Sequence, residues 1–224
     1  MKKFAIGASV FLNLVVLAVG IWAFTGGLVA FFISSFIEPA HERWVTQFEQ
    51  LPVMPGDTVF LGDSITEGGS WHELFPDSEV RNRGIGGDVT TGVLARLDQI
   101  TAGKPGQVFL LIGTNDLAFG RSEPDIVRNI VTILDRIETV SPGTKTYVQS
   151  VLPRDVEYRR RIESLNKAIA VAIEGKAIWI DLYPDFLSED GSITDELAND
   201  ELHLLGSGYL VWRNRIQSLV TTVN

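Results

Sequence analysis

Downstream of residue 57 the chain alternates between short apolar runs and longer stretches with helical periodicity. Runs typical of β-strands cover residues 58–62, 78–84, 107–113, 144–152 and 177–182. Three of them, "TVFLG", "QVFLLIG" and "AIWIDL", are almost continuously apolar, as expected for central strands covered on both faces. Helical patterns cover residues 89–100, 123–140 and 158–175, and a last helix follows Gly208. Strands that alternate with helices predict an α/β fold with a parallel sheet and helices on both faces.

The first forty residues form a separate region. No charged residue occurs from Phe4 to Ile37, and a transmembrane helix needs only roughly 20 apolar residues. A cleaved signal peptide and a buried core helix are the alternatives, although the apolar part of a signal peptide is shorter, about 7–15 residues. Gly26-Gly27 is a candidate break. We predict an N-terminal membrane anchor with a transmembrane helix (1–37), a connector (38–56) and a globular domain (57–224).

Charge adds an orientation and excludes one class of partner. Lys2 and Lys3 precede the apolar span, so the positive-inside tendency places the globular domain outside the cytoplasm, either periplasmic or extracellular. The formal charge of the 224-residue chain is −9, and these two lysines leave −11 for the remainder. An acidic domain is poorly suited to binding nucleic acid. The chain has no cysteine, which excludes disulfides, thiolate nucleophiles and cysteine-ligated metals.

Polar motifs follow the predicted strands, and in open parallel sheets ligand sites form at the carboxyl ends of strands. "GDS", which contains Ser64, follows the first strand, "GIGGD" the second, "GTND" the third and "LPR" the fourth. Ser64 has two interpretations, a helix N-cap or a nucleophile exposed at a strand-to-helix turn. The neighbouring Asp63 is expected to be a structural hydrogen-bonding residue. Acyl transfer would also need a base, a group that orients it, and oxyanion donors.

Three histidines are candidates for the base. His41 lies in the connector, and His72 is expected to be a surface or packing residue. His203 has Asp200 three residues before it, a spacing that allows the carboxylate to hold one imidazole nitrogen while the other faces a serine.

Candidate oxyanion donors follow the second and third strands. The glycines of "RGIGGDVT" either bring a backbone N–H close to a ligand or form a flexible turn. Asn115, directly past a buried strand, either donates its amide to an oxyanion or stabilises a turn. Each motif is weak on its own.

The motifs occur in the order Gly-Asp-Ser, Gly-x-Gly-Gly-Asp, Gly-Thr-Asn-Asp and Asp-x-x-His, on successive α/β units. This order resembles the SGNH (GDSL) hydrolase family over about residues 57–222. "RNRGIGGDVTTGVLARL", "GTND" and "DGSITDELANDELHLLGSGY" are similar to the branch of platelet-activating-factor acetylhydrolase catalytic subunits and bacterial acetylesterases. The resemblance implies a three-layer α/β/α sandwich with a central parallel five-stranded sheet, which is flavodoxin-like.

The resemblance also implies roles for single residues. Ser64 would be the nucleophile, with its own N–H as one oxyanion donor. The N–H of Gly87 and the side-chain amide of Asn115 would be the other donors. His203 would be the base and Asp200 its orienting partner. No cofactor is expected, because the family needs none, and no metal is expected, because the sequence shows no metal-ligand spacing.

We therefore expect a serine esterase for small acyl esters, with acetyl favoured because the connections after the strands are short. Its substrate would be an acetylated carbohydrate or lipid. One alternative is a lysophospholipase or thioesterase that takes longer acyl chains near the membrane, with Leu152, Leu204 and Leu205 as groove or packing residues. Acyl transfer to a sugar and an inactive domain that binds glycans or a partner are also open. The sequence does not indicate an oligomeric state.

Overall fold

The computed structural model describes residue 13 and residues 15–221. The chain divides into two units, with the boundary between Arg43 and Trp44. The predicted anchor (1–37) begins before the described residues, and its residues 1–12 and 14 lie outside them.

The N-terminal unit contains two wide, π-helical segments, Ala23–Gly27 and Ile33–Ile37, around a short α-helix α1 (Leu28–Phe32). Gly26 has φ +93° and ψ 0°, values that do not continue a helix and that glycine adopts without steric cost. The predicted break at Gly26-Gly27 is thus confirmed at Gly26. The predicted transmembrane helix is not found: in the described part of the chain, no helix has both the length and the apolar character for crossing a bilayer.

The second unit is built around five parallel strands in the order β2-β1-β3-β4-β5. Their bounds are Thr58–Gly62 (β1), Val80–Gly84 (β2), Gln107–Leu111 (β3), Lys145–Gln149 (β4) and Ile178–Ile180 (β5). The predicted parallel five-stranded sheet is confirmed. The chain first pairs β2 on one side of β1 and then β3 on the other, so a topological switch point lies at the carboxyl ends of β1 and β3, where doubly wound folds bind ligands.

Helices connect and cover these strands. Their bounds are Glu38–Gln50 (α2), Ser64–Glu67 (α3), Trp71–Leu74 (α4), Thr90–Ala95 (α5), Asp98–Thr101 (α6), Thr114–Ala118 (α7), Glu123–Val140 (α8), Arg159–Ala172 (α9), Tyr183–Phe186 (α10) and Gly206–Ile216 (α11), with a 3₁₀ turn at Val156–Tyr158.

The two faces of the sheet bury different side chains. On one face, called the aliphatic face, Val59, Val108 and Val148 pack against residues of α5, α6, α8 and α9. On the other, called the aromatic face, Phe60, Phe109 and Tyr147 pack against residues of α3, α4, α10 and α11. This alternation follows from the two-residue period of a strand. Both faces are covered, so the unit has three layers, helix, sheet and helix.

Rings on the aromatic face form a continuous stack across the strands. Phe109 lies between Phe60 and Tyr147, with ring centroids 5.2 Å and 4.3 Å away. Trp71 stacks on Phe60 at 4.0 Å with its plane 4° from parallel, and it meets Trp212 edge-on at 4.7 Å. This stack ties α4 and α11 to the central strands.

Candidate active site

The turn after β1 holds Ser64 at the first residue of α3. Asp63 is the N-cap, and its Oδ1 accepts a hydrogen bond of 3.0 Å from the Ile65 N–H. The capping function, one of the two interpretations of Ser64, is therefore performed by Asp63, and the Ser64 hydroxyl is available for another partner. Asp63 is the structural hydrogen-bonding residue that the sequence predicted.

Side chains from the aromatic face fasten α3 by its backbone. The Trp71 indole N–H donates to Thr66 O at 2.8 Å, and the Tyr209 hydroxyl donates to Ile65 O at 2.8 Å. The Asn82 amide of β2 also donates to carbonyls of this turn, among them Glu67 O at 2.9 Å. A helix of four residues has little stability of its own, so these tertiary hydrogen bonds determine where Ser64 lies.

Gly84 explains how closely this turn approaches β2. A Cβ at Gly84 would lie 2.1 Å from the Glu67 backbone nitrogen, which no side chain tolerates. Only glycine at this position allows α3 to pack directly on the end of β2.

His203 lies next to Ser64, although 139 residues separate them in the sequence. The distance between Ser64 Oγ and His203 Nε2 is 2.9 Å, and that between His203 Nδ1 and Asp200 Oδ2 is 2.6 Å. The other carboxylate oxygen of Asp200 accepts from the His203 backbone N–H at 2.6 Å. When Nδ1–H donates to Asp200, Nε2 carries the lone pair that can accept the serine proton.

The His203–Asp200 pair is open to solvent. Its side chains are 46% and 50% exposed. Partial burial raises the pKa of Asp200, but the hydrogen bonds from the His203 side chain and backbone outweigh it and hold that pKa below its usual range. Asp200 is thus ionised wherever a neutral histidine could act as a base.

The loop after β2 brings Gly86, the residue before Gly87, beside α3. A Cβ at Gly86 would lie 3.9 Å from Ser64 Cβ, and the Gly86 N–H donates to Glu67 Oε2. Gly87 has φ +76°. This value lies in the left-handed region, which glycine adopts without steric cost. Within the described residues, neither the Gly87 N–H nor the Ser64 N–H donates to another protein group.

Asn115 lies in α7, just past β3. Its Nδ2 donates to Asp88 O at 2.9 Å, and the amide carries a second N–H. The next residue, Asp116, is fully buried and accepts hydrogen bonds from the Thr90 N–H at 2.9 Å and the Thr90 hydroxyl at 2.7 Å. Burial raises the pKa of Asp116 even though the Thr90 bonds oppose the shift. These contacts join the segment of Asn115 to that of Asp88.

Other residues that the sequence suggested have different surroundings. His72 has a side chain that is 76% exposed, in agreement with a surface position. Leu152 is 1% exposed and belongs to the core of the aromatic face. Leu204 packs against that core, and the Leu205 N–H donates to Leu197 O at 2.8 Å. Of the two interpretations of Leu152, a groove residue or a packing residue, its enclosed side chain agrees with packing.

Arg154 of the "LPR" motif lies near the segment of Asn115. Its Nη1 is 3.5 Å from both the carbonyl and the hydroxyl oxygen of Thr114, and its guanidinium lies 4.2 Å over the Tyr158 ring.

Two cavities of about 240 Å³ and 200 Å³ are lined by residues away from the Ser64–His203 pair.

The buried ion pair between Arg96 and Asp88 was not predicted from the sequence. Arg96 Nε lies 2.8 Å from Asp88 Oδ2, and both side chains are almost completely buried. The signal was present in "VLARL", because Arg96 follows Val93 by three residues and so lies on the apolar stripe of a predicted helix. A charged residue on a buried face implies a buried partner of opposite charge.

The similarity of the chain to known proteins agrees with the geometry of the site. A model of the GDSL-like lipase/acylhydrolase family matches residues 60–211. The chain belongs to this family. It is an acylhydrolase, and the predicted enzyme class is confirmed.

Individual relatives agree with this assignment. The acylhydrolase is 31% identical over 176 residues to platelet-activating factor acetylhydrolase IB subunit alpha1 of Bos taurus, a match that covers 73% of this chain and 75% of that protein. A Streptococcus pneumonia structure described as a platelet activating factor protein has a TM-score of 0.79 at 23% identity, covering 86% of this chain and 98% of that one. A GDSL-like lipase from Bacteroides thetaiotaomicron has a TM-score of 0.70 at 24% identity, covering 80% and 95%. These two structures support the fold.

Proposed function

We propose that the acylhydrolase is a serine esterase for small acyl esters, with Ser64 as nucleophile, His203 as general base and Asp200 as the residue that orients the base. The observation that carries this proposal is the 2.9 Å distance between Ser64 Oγ and His203 Nε2, continued by 2.6 Å from His203 Nδ1 to Asp200 Oδ2. Both distances are within hydrogen-bond range, and the order of groups is that of serine hydrolases on several folds.

In the first step, Ser64 Oγ forms a bond to the acyl carbon while His203 Nε2 takes the serine proton. The ester C–O bond then breaks, and His203 returns the proton to the departing alcohol. Water, deprotonated by the same nitrogen, attacks the acyl-enzyme, and the acid leaves as the Ser64 hydroxyl is restored. The ionised Asp200 stabilises the imidazolium that forms in each step.

We assign the oxyanion to three donors, the N–H groups of Ser64 and Gly87 and the side-chain amide of Asn115. This assignment is supported by the N–H groups of Ser64 and Gly87, which have no other acceptor among the described residues. Asn115 keeps one N–H after its bond to Asp88 O. Such preorganised donors stabilise the charge that develops on the carbonyl oxygen.

A small acyl group, acetyl first, is the proposed substrate class, carried by a carbohydrate or a lipid. The exposed His203–Asp200 pair supports an open, shallow site, and the enclosed Leu152 removes one wall of the groove that a long chain would need. The Bos taurus relative is named for its action on an acetyl ester. The lysophospholipase or thioesterase function is the competing hypothesis.

The test is hydrolysis of p-nitrophenyl esters by the full chain, wild type and Ser64→Ala, with acetate, butyrate and octanoate as the acyl groups. We expect kcat/KM to be highest for acetate and Ser64→Ala to lose turnover by at least about 10³-fold. The control is Ser70→Ala, which replaces the serine at the N-cap of helix α4. Equal rates for wild type and Ser64→Ala would refute the esterase, whereas a preference for octanoate would favour the long-chain hypothesis.

The location of the enzyme remains a prediction from the sequence, membrane-anchored through residues 4–37 with the catalytic domain outside the cytoplasm. The uncharged run from Phe4 to Ile37 supports it, as does the exposure of large apolar side chains such as Trp22 and Phe24 in the N-terminal unit. Recovery of the full chain in the membrane fraction after an alkaline carbonate wash is the expected result. Recovery in the supernatant would contradict the anchor.

A further inference from the structure

The three proposed oxyanion donors come from three separate segments of the chain, and one buried ion pair contacts all three segments. Asp88 directly follows Gly87, and its carbonyl oxygen accepts from Asn115 Nδ2 at 2.9 Å. Arg96 donates from Nε to Asp88 Oδ2 at 2.8 Å and from Nη2 to Gly62 O at 3.1 Å. Gly62 is two residues before Ser64, at the end of β1.

The pair is enclosed on every side. The side chain of Arg96 is 2% exposed and that of Asp88 is 1% exposed. Asp88 Oδ1 also accepts from the Val89 N–H at 2.9 Å, and the Asp88 N–H donates to Ile85 O at 3.1 Å. A Cβ at Gly92 would lie 1.9 Å from Asp88 Oδ1, so helix α5 leaves a space that only the carboxylate fills.

Stability alone does not account for such a pair. Removing two charges from water is costly, and apolar side chains of similar volume often stabilise a protein as well or better. Bonds with defined direction in a water-free interior do, however, hold backbone segments in a single arrangement. An oxyanion hole needs this, because its donors must lie about 2.7–3.1 Å from the developing charge.

We propose that Arg96 and Asp88 are positioning residues of the oxyanion hole. Arg96 holds the strand end that leads to the Ser64 N–H and, through Asp88, the loop of Gly87 and the amide of Asn115. This inference rests on the proposed function, because it assigns a task to residues that act through those three donors. Neither Arg96 nor Asp88 touches the substrate in this role.

The first test is Arg96→Lys in the full chain, assayed with p-nitrophenyl acetate. Lysine keeps a positive charge for Asp88, but its single nitrogen cannot also bond Gly62 O in the geometry of the guanidinium. A misplacement of about 1 Å costs about 10²-fold in rate, so we expect kcat to fall by about that factor. KM should change by less than about twofold, because the donors act mainly in the transition state.

Arg81→Lys is the matched control. Arg81 Nε lies 2.8 Å from Asp57 Oδ2, the same distance as in the Arg96–Asp88 pair, but at the opposite edge of the sheet, where β1 and β2 begin. This substitution should leave kcat and KM within about twofold of wild type. A folded Arg96→Lys with the kcat of wild type, or an equal loss of kcat in both variants, would overturn the inference.

A double-mutant cycle provides a readout that a purely structural residue would not change. If Arg96 acts through the donors, Arg96→Lys and Asn115→Ala together should lower kcat by less than the product of their separate effects. Full additivity would overturn the inference. If circular dichroism shows that Arg96→Lys is unfolded, Asp88→Asn takes its place in both assays with the same expectations, since the amide keeps an oxygen for Arg96 but loses the charge.

Failure of the inference and failure of the proposed function give different results. Wild-type turnover in Ser64→Ala would refute the proposed function and the inference with it. An inactive Ser64→Ala beside a fully active Arg96→Lys would refute the inference alone.

Discussion

The aromatic and aliphatic faces of the sheet support different parts of the candidate site. Ser64 begins α3, and α11 follows His203, and both of these helices pack on the aromatic face. Asn115 lies in α7 and Asp88 precedes α5, and both of these helices pack on the aliphatic face. The proposed nucleophile and base, with the Ser64 N–H, are thus supported from one side, and the two other proposed oxyanion donors, Gly87 and Asn115, from the other.

The difference shows how each kind of core can position polar groups. Trp and Tyr combine an apolar body with one polar atom, so Trp71 and Tyr209 bond the backbone of α3 while they fill the aromatic core. Val, Leu and Ile have no such atom. On the aliphatic face, buried polar side chains bond the backbone instead: Arg96, paired with Asp88, donates to Gly62 O, and Asp116 accepts from the Thr90 N–H.

The largest expected effect comes from Trp71→Ala. Removing a fully buried tryptophan costs about 3–5 kcal/mol of unfolding free energy, and α3 also loses the hydrogen bond to Thr66 O. Urea denaturation should show the loss, and kcat should fall as well. Ile133→Ala on the aliphatic face is the control, with a cost of about 2–5 kcal/mol but an unchanged kcat per folded molecule. A similar fall in kcat for both variants would mean that the faces do not differ in this way.

Asn115→Ala tests the other side of the site. Loss of one oxyanion donor is typically worth about 2.7–4 kcal/mol in the transition state, so kcat should fall by about 10²–10³-fold. The melting temperature should change little, since the side chain is only partly buried. Asn214→Ala, an exposed asparagine of α11, should leave both quantities unchanged. A normal kcat in Asn115→Ala would remove this residue from the oxyanion hole.

The Asp63 carboxyl interacts electrostatically with groups on both faces of the sheet. These are Asp88 and Asp116 on the aliphatic face and Tyr209 on the aromatic face. Burial raises the pKa of Asp63 from 3.8 to about 7, and repulsion from the two aspartates adds to the shift. Its Oδ2 is buried without a hydrogen-bond partner among the described residues. Because the native state keeps this proton after the unfolded chain has lost it, stability should fall as pH rises from about 4 to about 7.

Between about pH 5 and pH 7, the raised pKa of Asp63 alone should lower the free energy of unfolding by about 2 kcal/mol. This follows from a slope of about 1.4 kcal/mol per pH unit between the unfolded and the folded pKa. Asp63→Asn has no proton to release, so its unfolding free energy, measured by urea denaturation, should depend less on pH over that range. Asp98→Asn, at an exposed carboxylate, is the control. Identical pH dependence in wild type and Asp63→Asn would contradict the raised pKa.

Tyr209→Phe should have the smallest effect. The ring remains on the aromatic face, and only the hydroxyl that bonds Ile65 O is lost, at a cost of about 1 kcal/mol. Chemical denaturation should detect this change together with a small decrease in kcat. Tyr158→Phe, on the 3₁₀ turn, should leave kcat unchanged. A Tyr209→Phe enzyme as stable as wild type would show that the hydroxyl contributes nothing to holding α3.

The parts of the fold with strong local signals were predictable from the sequence. Helix α8 occupies the predicted residues 123–140 because Ser122 caps it and Pro124 lies in its first turn. The predicted helix over 89–100 is instead two short helices, because the chain leaves helical geometry at Arg96, whose side chain reaches Asp88 and Gly62. The four-residue helices α3, α4 and α10 were not predicted, since so few residues carry no periodicity.

The motifs of the candidate site could be predicted from the sequence, but the residues that hold those motifs in place could not. Ser64 was found because its motif follows a strand end, and His203 because Asp200 lies three residues before it. The His203 side chain lies within hydrogen-bond distance of both Ser64 and Asp200. Their catalytic roles stay predictions until the variants are measured. Tyr209 and Arg96 were missed because their partners are distant in the sequence, and only the folded chain brings them together.

The separation of 139 residues between Ser64 and His203 has a consequence for the synthesis of the enzyme. A growing chain presents its serine early, but the histidine follows only after β5 and α10 have been made. Domains generally fold as units during synthesis, so a ribosome-bound chain that ends before His203 carries Ser64 without its proposed base. If Ser64 and His203 act as proposed, activity reports that nearly the whole domain has been translated and folded.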